Sequence, residues 1–444
     1  KIVNNFKHSI HLKSDDDLKL LDSIRAINDD YFYLVFPSSI VPENYIFMQK
    51  LIEQCKYSNG SVNFISNNKS GYITLESGSS VMRHCKMRND TKNKTDFSYE
   101  DYGASVEISS KEFYDLSDMS TFIYFMSNAT GTRAFNSISI KKNYVQKKSE
   151  DSKKMFAEYN FYQLVEGKIK QYIVPTFNFN DSKTDKYTTY EMERLRIPDL
   201  SIQYVNQSLN IDIFKNLCNQ FFDYINSRPT KKISKAEYVN SYENNIILKM
   251  QLRINQFLKT DLGKKINQEL KNNASIDIIG LTSKTEKLIK KILSNNILKY
   301  HTISHGDSCF SNILYDKRIS LFRLIDPKGA SNKDELYLNP LYDIAKFSHS
   351  ILGDYDLINH GLFDCKFDND LNFILSFDHI SSAYKMKQEF INQLDNNQFS
   401  LESVRAIELS LFISMVPFHS DNPKKILGFL LNARNLLNEL SSKY

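Results

Sequence analysis

Apolar residues recur at helical spacing through the second half of this chain and form short continuous runs in the first. Over 15–27, Leu18, Leu20, Leu21 and Ile24 fall on one side of a helix. The unbroken run 31–36 (Tyr-Phe-Tyr-Leu-Val-Phe) reads as a buried strand. A helix follows over 43–55, then strands over 61–66 and 71–75. Strand-helix-strand order implies an α/β layer with a parallel component. The polar stretch 87–99, with Asn89, Asp90, Thr91, Lys92 and Asn93 together, reads as an exposed loop. A second region begins near Asp115, with strands expected over 122–125, 137–140 and 143–147. Asn128, Thr130, Gly131 and Lys142-Asn143 supply the turns between them. A helix is expected over 151–165, capped by Ser149 and facing inward through Met155, Tyr159 and Tyr162. A strand over 187–195 then runs into a loop at Pro198. From Ile211 the spacing is mainly helical, over 214–226, 236–260, 283–294, 342–350, 381–396, 401–416 and 424–440. Short strands interrupt it around 313–315 and 321–325.

The pattern divides the chain into an α/β segment over 1–114, a small β-rich lobe over 115–205 and a large helical lobe over 206–444. A length of 444 residues agrees with two or three domains, each large enough for its own core. Hydrophobic content of 41% and charged content of 25% are ordinary for a soluble globular protein. A formal charge of +5 is small for this length and no Lys/Arg block is long, so a nucleic-acid partner is not expected. No apolar run is long enough to span a bilayer, and the first residues lack the apolar core of a signal peptide. The opening at Lys1 suggests that residues are missing upstream. Five scattered cysteines, odd in number and without CxxC spacing, argue for a reducing, cytoplasmic setting and against a disulfide framework or a zinc site.

The chemistry concentrates in His305-Gly306-Asp307-Ser308-Cys309-Phe310-Ser311-Asn312, followed by Leu324-Ile325-Asp326. The order and spacing match a kinase catalytic loop and the strand-end aspartate that follows it. Asp307 is the candidate catalytic base, and His305 orients the loop through hydrogen bonds. Asn312 and Asp326 are the candidate Mg²⁺ ligands, since magnesium favours few carboxylates together with phosphate oxygens. Gly and Asp also favour plain turns, but Asn312 in register and Asp326 at a strand end weigh against that reading. Upstream, Lys147 is the candidate lysine for ATP phosphates and Glu158, on the next helix, its orienting carboxylate. Lys148 points to the opposite strand face, so only one of the pair can serve.

The loop 127–137 is the candidate phosphate cover, through backbone N–H groups, Thr130, Thr132 and Arg133. It holds one glycine, and a plain hairpin turn stays open. Glu191 and Glu193 lie where a kinase hinge would meet an adenine edge. Asp343 opens a helix after Pro340 and is either a helix N-terminal carboxylate or a brace for the catalytic loop. His301 and His305 do not form a metal pair, and Cys309 is expected to pack rather than attack. Phe347, His349, Tyr355 and His419 are candidates for lining an acceptor pocket.

From 115 onward the chain resembles the aminoglycoside phosphotransferase and choline kinase-like superfamily, most strongly over 305–326 and 339–346. Arg133-Ala134-Phe135-Asn136-Ser137-Ile138, Lys147-Lys148-Ser149 and Ala157-Glu158-Tyr159 resemble a branch found with capsule and surface-polysaccharide biosynthesis. The resemblance implies an α+β two-lobed protein kinase-like fold, ATP, Mg²⁺ and a small hydroxyl-bearing acceptor such as a sugar, polyol or amino alcohol. Residues 29–38 and 100–106 are similar to strands of a sugar-phosphate nucleotidyltransferase, with Pro37 and Ser38 where a metal-binding Asp is expected. That segment is read as degenerate, truncated or a docking module. A non-catalytic pseudokinase and a bifunctional enzyme lacking its N-terminal part stay open as alternatives, as does a homo-oligomer.

Overall fold

The computed structural model describes residues 32–35, 40–42, 62–66, 72–77, 79, 106–110, 113–116, 137–181, 187–274, 276–367, 373–377, 383–420 and 422–443. The chain forms two compact units, Lys1–Met126 and Ser127–Tyr444. The helices expected over 15–27 and 43–55, the loop over 87–99, the strand over 122–125, and Thr130, Thr132 and Arg133 lie outside the described residues.

In the first unit, β1 (Phe32–Val35), β3 (Val62–Ser66), β4 (Tyr72–Ser77) and β5 (Val106–Ser110) make one sheet in the order β1-β4-β3-β5. β3 and β5 run parallel, and the other two pairings are antiparallel. β2 (Ile40–Pro42) pairs separately with β6 (Phe113–Asp115).

The second unit opens with an antiparallel sheet in the order β7-β8-β10-β9, built from β7 (Ser137–Ile140), β8 (Tyr144–Ser149), β9 (Thr176–Asn180) and β10 (Thr188–Glu193). α1 (Ser152–Leu164) packs on it. Ser149 does not cap α1. It is the last residue of β8, and its hydroxyl accepts the Asp151 amide. The cap is Asp151, whose carboxylate accepts the Lys154 amide at 3.0 Å. The inward face also differs from the expected one: Met155, Glu158 and Phe161 are buried, while Tyr159 and Tyr162 are half-buried. Met155 joins Val174, Tyr190 and Met192 in a small core between helix and sheet.

The larger core gathers α2 (Leu200–Val205), α3 (Ile211–Ser227), α4 (Lys235–Tyr242), α5 (Lys249–Lys259), α6 (Asp261–Ala274) and α7 (Ile278–Asn295). It continues through α8 (Leu341–Ile351), α9 (Tyr355–His360), α10 (Ala383–Asn396), α11 (Leu401–Ser414) and α12 (Pro423–Ser441). The helix expected over 236–260 forms as one run from Lys235 to Lys259 with a change of winding inside it. A π-helical turn, Glu243–Leu248, separates α4 from α5 and changes the phase of the face that begins at Lys249. Short strands hold the loops of this region: β11 (Thr230–Lys232), β12 (Tyr300–Ile303) and β15 (Tyr337–Leu338) in one sheet, and the hairpins β13 (Ile313–Asp316) with β14 (Leu321–Leu324) and β16 (Phe363–Phe367) with β17 (Phe373–Phe377). Among the described residues no helix is long and apolar enough to cross a membrane.

Candidate active site

Lys147 and Tyr190 face each other across β8 and β10, so both side chains point to the same side of the sheet, towards α1. Lys147 is 2% exposed. Its Nζ lies 2.9 Å from Glu158 Oε2 and 2.7 Å from Asp326 Oδ1, linking the sheet, α1 and the end of β14. Tyr190 Oη donates to the same Glu158 oxygen at 2.9 Å. Burial opposes the lysine's charge, but Asp326, Tyr190 and Glu158 outweigh it and raise the ammonium well above the usual lysine range. Lys148 takes the other face and covers the Tyr187 ring at 4.2 Å. A small cleft lies beside these groups, lined by Glu158, Tyr190, Met192, Leu324 and Asp326.

The β13–β14 hairpin sets the spacing of the second half of the site. Ile313 pairs with Leu324, and the Ile325 amide donates to the Asn312 carbonyl at 3.0 Å, so Asn312 and Asp326 emerge at the same open end. Asp326 adopts φ 59°, a left-handed conformation that Asp tolerates better than most residues. Asn312 Nδ2 donates to the Asp307 carbonyl at 2.8 Å and to Asp307 Oδ2 at 3.1 Å. That commits its nitrogen and leaves its side-chain oxygen as the acceptor. Asp307 Oδ1 pairs with Lys346 Nζ at 2.8 Å, and its side chain is 40% exposed, open to an incoming hydroxyl.

Asp343 holds this loop from below. It is fully buried, and its carboxylate accepts the amides of His305 at 2.9 Å and Gly306 at 2.7 Å. The same carboxylate meets Arg228 Nη1 at 3.0 Å and Tyr224 Oη at 3.3 Å. Of the two roles open to Asp343 in the sequence, the structure shows the brace. Gly306 sits at φ 79°, and a Cβ there would meet Lys328 Cβ at 2.7 Å. His305 is buried, its Nδ1 accepts the Asp307 amide at 3.3 Å, and burial holds its ring below the ordinary histidine range. It orients the loop and stays neutral. Burial pushes the Cys309 thiol up to about 12, so it is not a nucleophile near neutral pH.

Glu191 lies within β10 and Glu193 is its last residue; the strand pairs with β8 and β9, and the Glu193 amide donates to the Pro175 carbonyl at 3.0 Å. The Glu191 carboxylate binds Asn178 Nδ2 at 2.7 Å. Phe347, His349, Tyr355 and His419 are all buried. Phe347 stacks on Phe221 with centroids 4.0 Å apart, and His349 stacks on Tyr355 at 4.5 Å. They are packed in the core. Lys346, Tyr190 and Arg228 were not anticipated. Lys346 lies 39 residues from its ion-pair partner Asp307 and Tyr190 lies 32 from Glu158, so no local pattern announces these pairs.

A metal fits the donors present. Asp326 supplies a carboxylate and Asn312 a side-chain oxygen that takes no hydrogen bond among the described residues. One carboxylate and one amide oxygen suit Mg²⁺ completed by water and phosphate. Among the described residues no cluster of three or more His, Cys, Asp or Glu could cage a metal by itself.

No protein-family model matches the chain, and no curated protein matches it. Solved structures of similar fold include a thermostable mutant of aminoglycoside phosphotransferase APH(4)-Ia in its apo form, with a TM-score of 0.43 and 8% identity, covering 72% of this chain and 98% of that one. Glucosamine kinase gives a TM-score of 0.42 and 10% identity over 71% of this chain and 79% of that one. The GDP complex of an aminoglycoside 2′-phosphotransferase-IIIa mutant gives 0.39 and 11% over 71% and 90%. These likenesses are too distant to bear on chemistry, which rests on the geometry above.

Proposed function

We propose that this chain is an ATP-dependent phosphotransferase of protein kinase-like fold that phosphorylates a hydroxyl of a small molecule. The observation that carries the reading is Lys147, buried between Glu158 and Asp326, with Asp307 and Asn312 joined at the neighbouring hairpin end. Phosphoryl transfer through a loose transition state asks for alignment and charge compensation more than covalent help. Asp307 accepts the hydroxyl proton as the acceptor oxygen bonds to the terminal phosphorus of ATP and the bond to the ADP oxygen breaks. Lys147 meets the phosphates, with Glu158 and Tyr190 fixing its position. Lys346 and Asn312 hold the Asp307 carboxylate in place. A bound Mg²⁺, held by Asn312 and Asp326, would neutralise charge on the phosphates. A role in surface-polysaccharide assembly, with a sugar, polyol or amino alcohol as acceptor, rests on the sequence resemblance alone. Neighbouring genes would test it.

A screen of sugars, polyols and amino alcohols for Mg²⁺-dependent ADP release tests the activity. Asp307→Asn is expected to lower acceptor-dependent turnover by about a thousand-fold while nucleotide affinity stays within about two-fold. Turnover near the parent rate in that variant would remove Asp307 from its role. No acceptor-dependent ADP release with any compound would favour a non-catalytic binding protein.

A further inference from the structure

The catalytic loop is fastened along α8 at both ends of a two-turn stretch. Asp343 accepts the His305 and Gly306 amides, and the Ser308 hydroxyl donates to the Asp343 carbonyl at 2.8 Å. Further along, the Phe310 amide donates to Ser350 Oγ at 3.1 Å. Lys346 lies between these attachments, one turn past Asp343 and one turn before Ser350. The helix therefore fixes where this lysine starts relative to Asp307, and its ammonium moves only about its own side-chain bonds. Its Nζ lies 2.8 Å from Asp307 Oδ1, and the lysine and aspartate side chains are 21% and 40% exposed, so a ligand can reach both. The loop itself, from His305 to Leu314, holds no lysine or arginine, so α8 brings this cation to the base. Orienting the base does not require it. Asn312 Nδ2 already ties both the Asp307 carbonyl and Oδ2. Lys346 also stands at one of the two oxygens that an acceptor hydroxyl must reach, so a lasting pair would obstruct the base.

We infer that Lys346 is a second catalytic cation: it leaves Asp307 as the acceptor's proton arrives there and binds the oxygens of the phosphoryl group in transfer. This rests on the phosphotransferase reading and deepens it. An acceptor oxygen hydrogen-bonded to Asp307 lies about 3 Å from it, and the phosphorus it attacks lies about 3–3.5 Å further on. An ammonium already beside Asp307 Oδ1 is a side-chain rotation away from that group. In the transfer, the bond from acceptor oxygen to phosphorus forms, the bond from phosphorus to the ADP oxygen breaks, and the hydroxyl proton ends on Asp307. Asp307 is then neutral. Lys346 loses its counter-charge at that moment, and the phosphoryl group arriving on the acceptor supplies a new one. The ammonium thus binds the transferring group better than the ground state, which is the condition for an interaction to raise kcat. Lys147, between Glu158 and Asp326, serves the nucleotide side, and Lys346 serves the acceptor side.

The test needs no identified acceptor. Binding of Mg·ADP with aluminium fluoride, an anionic mimic of the phosphoryl group in transfer, is compared by calorimetry with binding of Mg·ADP alone. In the parent protein aluminium fluoride is expected to tighten Mg·ADP binding by about ten-fold or more. Lys346→Met should lose that tightening while its affinity for Mg·ADP alone stays within about two-fold, which also shows that the variant folds. Lys346→Arg, which keeps the charge, should retain most of it. Asp307→Asn, with no carboxylate for the lysine to place, should keep the tightening within about three-fold, and Asp307→Asn with Lys346→Met should lose it. Tightening that survives in Lys346→Met would overturn the inference. So would a loss as large in Asp307→Asn as in Lys346→Met, with nothing further lost in the double variant, which would leave the lysine as a positioning residue for the aspartate. A parent protein that binds Mg·ADP without tightening would overturn the inference and leave the phosphotransferase reading standing. Absence of Mg·ADP binding would take that reading with it.

Discussion

A lysine this deeply buried is tolerated only while its charge is matched, and Lys147 is matched twice. Lys147→Met would strand the Glu158 carboxylate, itself 4% exposed, with Tyr190 and the more distant Lys154 as its remaining support. The variant is expected to lose about 3 kcal/mol of stability in urea unfolding and about a hundred-fold or more in turnover. Adding Glu158→Gln should restore part of the stability and none of the turnover, because the two residues are coupled in the fold but only the lysine meets phosphate. The Lys147–Glu158 pair was legible because strand and following helix are adjacent in sequence. Tyr190, opposite Lys147 in the sheet, was hidden because register between non-consecutive strands is not written in either strand alone.

At the scale of elements, the catalytic loop is attached to α8 by one carboxylate serving two amides, a guanidinium and a phenol. Asp343→Ala would leave Arg228 buried, 4% exposed, without its counter-charge. The expected loss is about 3–5 kcal/mol in thermal or urea unfolding, read against Asp334→Ala as control, whose partner Lys231 is exposed. Most long helices in the second unit were visible as apolar periodicity. The π-helical turn at Glu243–Leu248 was not, because the apolar spacing runs on through it while the hydrogen bonding changes. α2, with six residues, and the β16–β17 hairpin were too short to show a period. The cap of α1 was misplaced by two residues because β8 extends further than its apolar run.

For the second unit as a whole, pH enters through a buried carboxyl outside the catalytic loop. Asp356 on α9 is fully buried, takes the Ser201 hydroxyl of α2, and is pushed by burial up to about 6. Its value in the unfolded chain is about 4. A folded-state value above the unfolded one means the native fold favours the protonated form. The contribution is therefore complete below about pH 4 and is lost as pH rises through about 6. Asp356→Asn, neutral at every pH, should remove a decline of about 3 kcal/mol between those limits, measured by urea unfolding at closely spaced pH values. The charge pattern that positions the site was readable only where spacing repeated a known order, over 305–326.

The segment after Asp326 passes so close to α1 that a Cβ on Gly329, at φ 66°, would lie 1.9 Å from the Ala157 carbonyl oxygen. Asn160, one turn along the same helix, donates to the carbonyls of Ala330 and Ser331 at 3.2 and 3.1 Å. Asp326 and Glu158, the two anions that share Lys147, are thus spaced by a backbone strut rather than by their own attraction to the lysine. Neutralising any one charge would leave that strut in place. Widening the glycine by a single methyl would pry the two anions apart with every charge intact.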